Sequence, residues 1–123
     1  MSASEPLISI VEDDESLRLA VVGLVRSLGY RTLAYGSAED FLAAEEARTS
    51  NCVVTDIQMP GISGIELKQK LVADGVAMPV IMVTARTEPA VHERAMASGA
   101  FCLLRKPFTA DALIACLDRA LAA

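Results

Sequence analysis

The sequence predicts an α/β fold: a single doubly wound (βα)5 domain, with one parallel sheet of five strands and helices on both faces. Three observations predict it. Five short apolar runs alternate with amphipathic stretches along 123 residues. The runs are rich in β-branched residues and nearly continuous, as suits strands covered on both sides. Polar residues able to carry chemistry stand at or just past the ends of these runs. Right-handed crossovers in parallel βαβ units would bring those ends to one edge of the sheet.

The elements follow in order. Leu7-Ile8-Ser9-Ile10-Val11 reads as the first strand, closed by Glu12-Asp13-Asp14-Glu15. Leu17, Val21, Leu24, Val25 and Leu28 then recur on one helix face, and Gly29 ends that helix. Arg31-Thr32-Leu33-Ala34-Tyr35 is a short second strand. Ser37 caps a helix expected to run through residue 47, with Asp40 at its third position as a weak capping box. Cys52-Val53-Val54-Thr55-Asp56 is the third strand, cut off by Met59-Pro60-Gly61. A loop over 57–64 leads to a helix carrying Ile65, Leu67, Leu71 and Val72. Residues 79–84 form the fourth strand. The helix over 89–98 has a thin apolar face of Val91, Ala95 and Met96, ends at Gly99, and is expected to be the least firmly held. Residues 102–105 make the fifth strand, and Thr109 caps a last helix carrying Leu113, Ile114, Leu117 and Leu121.

Bulk composition excludes several classes. Hydrophobic content of 53% against 22% charged residues describes a globule with a core rather than a disordered chain. A net charge of −5 argues against binding a phosphate backbone through this domain, so no nucleic acid partner is expected for it. No apolar stretch approaches a membrane span, and residues 1–6 lack the basic and apolar regions of a secretory leader. No membrane partner and a cytoplasmic location are expected. Cys52, Cys102 and Cys116 show no C-x-x-C spacing and read as reduced, buried thiols.

The chemistry concentrates at the strand ends. Glu12, Asp13 and Asp56 would repel one another unless something neutralises them. A hard divalent cation does so, and Mg²⁺ suits carboxylates, a carbonyl and water. An Asp-Asp pair near a helix start could merely cap that helix, but Asp56 on the neighbouring strand makes a shared pocket the better reading. As a nucleophile Asp56 would become an acyl phosphate, with Lys106 and Thr84 neutralising phosphoryl oxygens. Other motifs are absent. His92-Glu93-Arg94-Ala95-Met96 lacks the second His of H-E-x-x-H, and Gly61-Ile62-Ser63-Gly64 lacks a Walker-A lysine. No G-x-G-x-x-G follows the first strand.

A series of motifs in order, across the whole chain, resembles the receiver domain of two-component response regulators, most closely the FixJ-type receivers. The motifs are Ile10-Val11-Glu12-Asp13-Asp14, the strand and loop from Val54 to Gly64, Val83-Thr84-Ala85, and Arg105-Lys106 followed by Pro107-Phe108. The resemblance implies a flavodoxin-like receiver topology over residues 1–123. It implies that Asp56 accepts phosphate from a sensor histidine kinase. Mg²⁺ would be held by Asp13 and Asp56 directly, by Glu12 through water, and by the Gln58 carbonyl. Thr84 would move toward the phosphoryl group and Lys106 would pair with it, before a proline that is typically cis. The domain would be a switch rather than a turnover enzyme, catalysing only its own phosphorylation and slow hydrolysis. Its output surface would comprise the fourth helix, fifth strand and last helix. A C-terminal output domain, typically one that binds DNA to regulate transcription, and a phosphorylation-dependent homodimer are the other implied partners.

Two positions depart from the family pattern. Leu103 stands where an aromatic side chain usually swings inward, and Phe101 lies two residues too early to replace it. Gln58, two residues after Asp56, can orient a water, so moderate autodephosphorylation is expected. The alternatives are weaker. A phosphatase of the haloacid-dehalogenase kind needs a second carboxylate where Gln58 stands. A phosphorylation-independent interaction module would be expected to lack the acceptor or the lysine, and both Asp56 and Lys106 are present.

Overall fold

The computed structural model describes residues 5–122. The leader reading of residues 1–6 therefore falls outside the described residues for its first four positions. Five strands, β1 (Leu7–Val11), β2 (Arg31–Tyr35), β3 (Cys52–Asp56), β4 (Val80–Thr84) and β5 (Cys102–Arg105), form one sheet. They alternate with α1 (Glu15–Ser27), α2 (Ala38–Ala43), α3 (Gly64–Ala73), α4 (Pro89–Ala97) and α5 (Ala110–Ala122). All pairings are parallel and the strand order is β2-β1-β3-β4-β5, so β2 and β5 are the edges. The chain reverses its direction of travel between β1 and β3, which makes the C-terminal ends of those two strands the switch point where such sheets bind ligands.

Strand alternation sorts the core into two layers. Ile8, Ile10, Val54, Ile81, Val83 and Leu104 pack toward Val21 and Val25 of α1 and Leu113 and Leu117 of α5. Val11, Val53 and Met82 pack on the other face with Phe41 of α2, Leu67 and Leu71 of α3, and Val91 and Ala95 of α4. Strands β1, β3 and β4 are buried at every position, which is why their sequences read as unbroken apolar runs.

Local chemistry fixes the helix starts. Asp14 caps α1 by accepting the Leu17 N–H, and Thr109 accepts that of Ala112 at the start of α5. Ser63 and Glu66 form a full reciprocal capping box on α3. Gly29, Gly75 and Gly99 end α1, α3 and α4 at positive φ.

Three expectations are corrected. The helix capped by Ser37 does not run through residue 47; it breaks at Ala44, whose ψ of 116° is extended, and continues as a 3-10 turn (Glu45–Thr49) that buries Ala47. At Ser37 the hydroxyl accepts the Asp40 N–H, so the cap is there without the reciprocal bond of a box. Val72 and Met96 do not face the core. They are 59% and 44% exposed, so α4 is anchored by Val91 and Ala95 alone.

Candidate phosphoacceptor and metal site

The strand ends lie level. Val11 pairs with Thr55, Asp56 with Val83, and Thr84 with Arg105, so the residues that follow open onto one rim. Glu12 leaves β1, Asp56 ends β3, Thr84 ends β4 and Lys106 follows β5. The loop after Asp56 returns tightly. The Gly64 N–H donates to the Ile57 carbonyl at 3.0 Å, and a Cβ at Gly64 would collide with the Asp56 carbonyl oxygen. Glu39 of α2 steadies the same loop, its carboxylate accepting the Ile62 N–H at 3.0 Å. Gly61 sits against that carboxylate at φ 78°, where a side chain has no room.

On this rim one oxygen each from Glu12, Asp13 and Asp56 lies within 4.8 Å of the others. Lys106 Nζ reaches Glu12 Oε1 at 3.1 Å and Asp56 Oδ2 at 3.3 Å. Glu12 and Asp56 are nearly enclosed, with side chains 6% exposed. The second Glu12 oxygen accepts the Asp14 N–H, and Arg18 donates to the Glu12 carbonyl at 2.8 Å. The acidic run thus divides its labour: Asp14 caps the helix, while Glu12 and Asp13 face the cluster.

Burial dominates the electrostatics. It pushes Asp56 above the ordinary carboxylate range, partly offset by Lys106, while Asp13 pushes the same way as burial. Glu12 is likewise raised by burial against the Asp14 N–H and Lys106, with Asp56 adding to the rise. For Lys106 burial works against the charge, but the bonds and charges of Glu12 and Asp56 outweigh it and hold its pKa above the usual value. Three carboxylates face one ammonium, a surplus of negative charge on hard oxygen donors. That donor set fits a hard divalent cation of the Mg²⁺ kind.

Thr84 and Gln58 meet beside the cluster. The Thr84 hydroxyl donates to Gln58 Oε1 at 2.8 Å and accepts the Arg86 N–H at 3.0 Å. The candidate switch hydroxyl is therefore held by Gln58. A cleft of about 950 Å³ between α3 and α4 includes Gln58, Met59 and Arg86 but none of Glu12, Asp13 and Asp56. The Lys106–Pro107 peptide is cis. Leu103 is half-buried against the α2–α4 side of the core, while Phe101 is 37% exposed. His92 lies on the surface. Sequence reasoning placed the four charged residues together but missed Glu39, the Thr84–Gln58 bond and the Ser63-x-x-Glu66 box. Only the last had a legible motif.

Comparison with known proteins agrees with this geometry. Residues 8–118 match the response regulator receiver domain family. Nodulation protein W of Bradyrhizobium diazoefficiens is 32% identical over 96% of this chain and 54% of its own length. The transcriptional regulatory protein FixJ of Azorhizobium caulinodans is 37% identical over 93% of this chain and 54% of its own. The chain spans about half the length of these relatives. Among solved structures, FixJ-N superposes with a TM-score of 0.87 at 31% identity, covering 97% of this chain and 95% of that one. Among the described residues, no helix is long and apolar enough to cross a membrane. The chain belongs to the response regulator receiver domain family, whose members are phosphorylation-dependent signalling switches rather than turnover enzymes.

Proposed function

We propose that Asp56 is the phosphoacceptor of this receiver and that a sensor histidine kinase supplies the phosphoryl group. The observation that carries this reading is the Asp56 carboxylate at a strand tip, paired to Lys106 at 3.3 Å and clustered with Glu12 and Asp13. One Asp56 oxygen attacks phosphorus, an O–P bond forms as the donor's N–P bond breaks, and the imidazole leaves. Lys106 turns from Glu12 and Asp56 to pair with a phosphoryl oxygen, the charge compensation such a transfer most needs. Asp13, Asp56 and the Gln58 carbonyl, with Glu12 through water, would hold Mg²⁺. When bound, that cation neutralises the charge developing on the phosphoryl oxygens. The Thr84 hydroxyl exchanges its bond to Gln58 for one to the phosphoryl group, while the Gln58 side chain is left to orient the hydrolytic water.

Output follows from that exchange as a population shift. Thr84 ends β4, so its movement is passed to the following loop and to α4, which is held by only two buried side chains. The surface of α4, β5 and α5 is the element read by a C-terminal output domain or by a second phosphorylated copy. Transcriptional output is supported by relatives named as transcriptional regulatory proteins and about twice as long. For delivery, an apolar groove of about 520 Å³, formed by Leu17, Ala20, Leu24, Pro107 and Phe108, opens beside Lys106 and suits a docked kinase helix. Residues 1–123 act as one receiver unit in the cytoplasm. Reductive trapping tests the acceptor: borohydride converts an aspartyl phosphate to homoserine, expected at position 56 alone. Homoserine at another carboxylate would overturn the assignment.

A further inference from the structure

Three thiols lie in the core layer under α1 and α5, away from the acidic rim: Cys52 on β3, Cys102 on β5 and Cys116 on α5. Their surroundings differ. Cys102 and Cys116 share one neighbour. Arg119, one turn further along α5, donates through Nη2 to Cys102 Sγ at 3.1 Å and to Cys116 Sγ at 3.8 Å, bridging both sulfurs with one guanidinium. Since β5 is an edge strand, this pair lies under the margin of the sheet, 7% and 4% exposed, with the exposed Arg119 above it. Cys52 is fully buried on the central β3 and has no cation on its sulfur among the described residues.

Buried cysteines in apolar surroundings are inert, whereas a thiol beside a cation and next to a second thiol is the arrangement of a reactive and resolving pair. We propose that Cys102 and Cys116 form a reversible dithiol modification site, oxidised to an intramolecular disulfide by hydrogen peroxide. The Cys102 sulfur attacks a peroxide oxygen, an S–O bond forms, the O–O bond breaks, and the departing oxygen leaves as water with the thiol proton. The Cys116 sulfur then attacks the Cys102 sulfur. The S–S bond forms, the S–O bond breaks, and the hydroxyl leaves as a second water with the Cys116 proton. Sulfur is oxidised and peroxide is reduced. Burial pushes the Cys116 and Cys52 thiols alike up to about 12, but a cation, Arg119, opposes the rise at Cys116 and none does so at Cys52. The bond requires the sulfurs to close to about 2.05 Å, tying α5 to the strand that leads into Lys106.

The test uses the whole chain in chelator-containing buffer with hydrogen peroxide, followed by alkylation after unfolding and mass analysis. Phosphorylation is not involved, so the result is independent of the phosphoacceptor reading. The expected product has lost two hydrogens, retains one alkylatable thiol, yields a linked peptide containing Cys102 and Cys116, and reverts with dithiothreitol. Cys52→Ala keeps this product, and Cys116→Ser stops at a dimedone-reactive sulfenic acid on Cys102. Arg119→Gln, an exposed substitution that leaves the core intact, slows the reaction severalfold. Three thiols still free in peroxide-treated native protein, a link through Cys52, or an unchanged rate in Arg119→Gln would overturn the proposal.

Discussion

Replacing Asp56 by Asn should stabilise the metal-free domain, although it removes an ion pair. Asp56 shares its pocket with Glu12 and Asp13, their oxygens all within 4.8 Å. At that separation and an effective dielectric near 20, each repulsion is about 3.5 kcal/mol, while Lys106 at 3.3 Å contributes an attraction of about 5 kcal/mol. Asp13 is exposed, so solvent screening reduces its share to a fraction. To the repulsion is added the cost of burying the Asp56 charge, the leading cause of its raised pKa. The two repulsions roughly cancel the attraction, so the cost of burial decides the sign, and Asn, with the same shape, escapes it. Lys106 keeps Glu12 as its partner. Urea unfolding in chelator should show a gain on the order of 1 kcal/mol, equivalent to about 4 °C in Tm. Adding Mg²⁺ to tenfold above its Kd should stabilise the wild type by about 1.4 kcal/mol and Asp56→Asn far less. A metal-free Asn variant less stable than wild type, or an equal Mg²⁺ gain in both, would refute the reasoning.

Three further outcomes are expected. Glu12 and Asp56 have folded-state pKa values raised mainly by burial, so both bind their protons more tightly folded than unfolded. The stability they contribute is fully present below the unfolded values near 4 and is lost as pH rises through the folded values. Metal-free unfolding free energy should therefore fall from mildly acidic to neutral pH, less steeply in Asp56→Asn; a rise over that window would contradict the burial argument. Gln58→Ala removes the Thr84 partner and the water-orienting amide, so the phosphoryl half-life should lengthen by about three- to tenfold. An unchanged half-life would remove Gln58 from the mechanism. Amide exchange should be faster in α4, held by Val91 and Ala95, than in α1, and equal protection would count against a mobile output face.

The residues that were legible in the sequence share a physical reason. Strands buried on both faces show unbroken apolar runs, so β1, β3 and β4 could be bounded, and with them the tips carrying Glu12, Asp56 and Thr84. What failed needed knowledge of the neighbouring layer. Val72 and Met96 sit at helical spacing from core residues, but periodicity does not show where the sheet stops covering a helix face. The break at Ala44 was hidden by alanine-rich, helix-favouring sequence; the 3-10 turn instead buries Ala47 against the α2–α4 side of the core. The Glu39 bond to Ile62, the Thr84 bond to Gln58 and the Arg119 bridge join residues on different elements. No local pattern reports such pairs.

The central claim is that Asp56 is phosphorylated in an acidic, cation-dependent pocket. It is tested most directly by incubating the protein with acetyl phosphate and weighing it intact, with Mg²⁺ or chelator, beside Asp56→Asn. The account predicts one phosphoryl adduct that requires Mg²⁺ and is absent from the variant. An adduct that persists in Asp56→Asn, or none on a wild type that binds Mg²⁺, would contradict it and leave a phosphorylation-independent interaction module as the better reading.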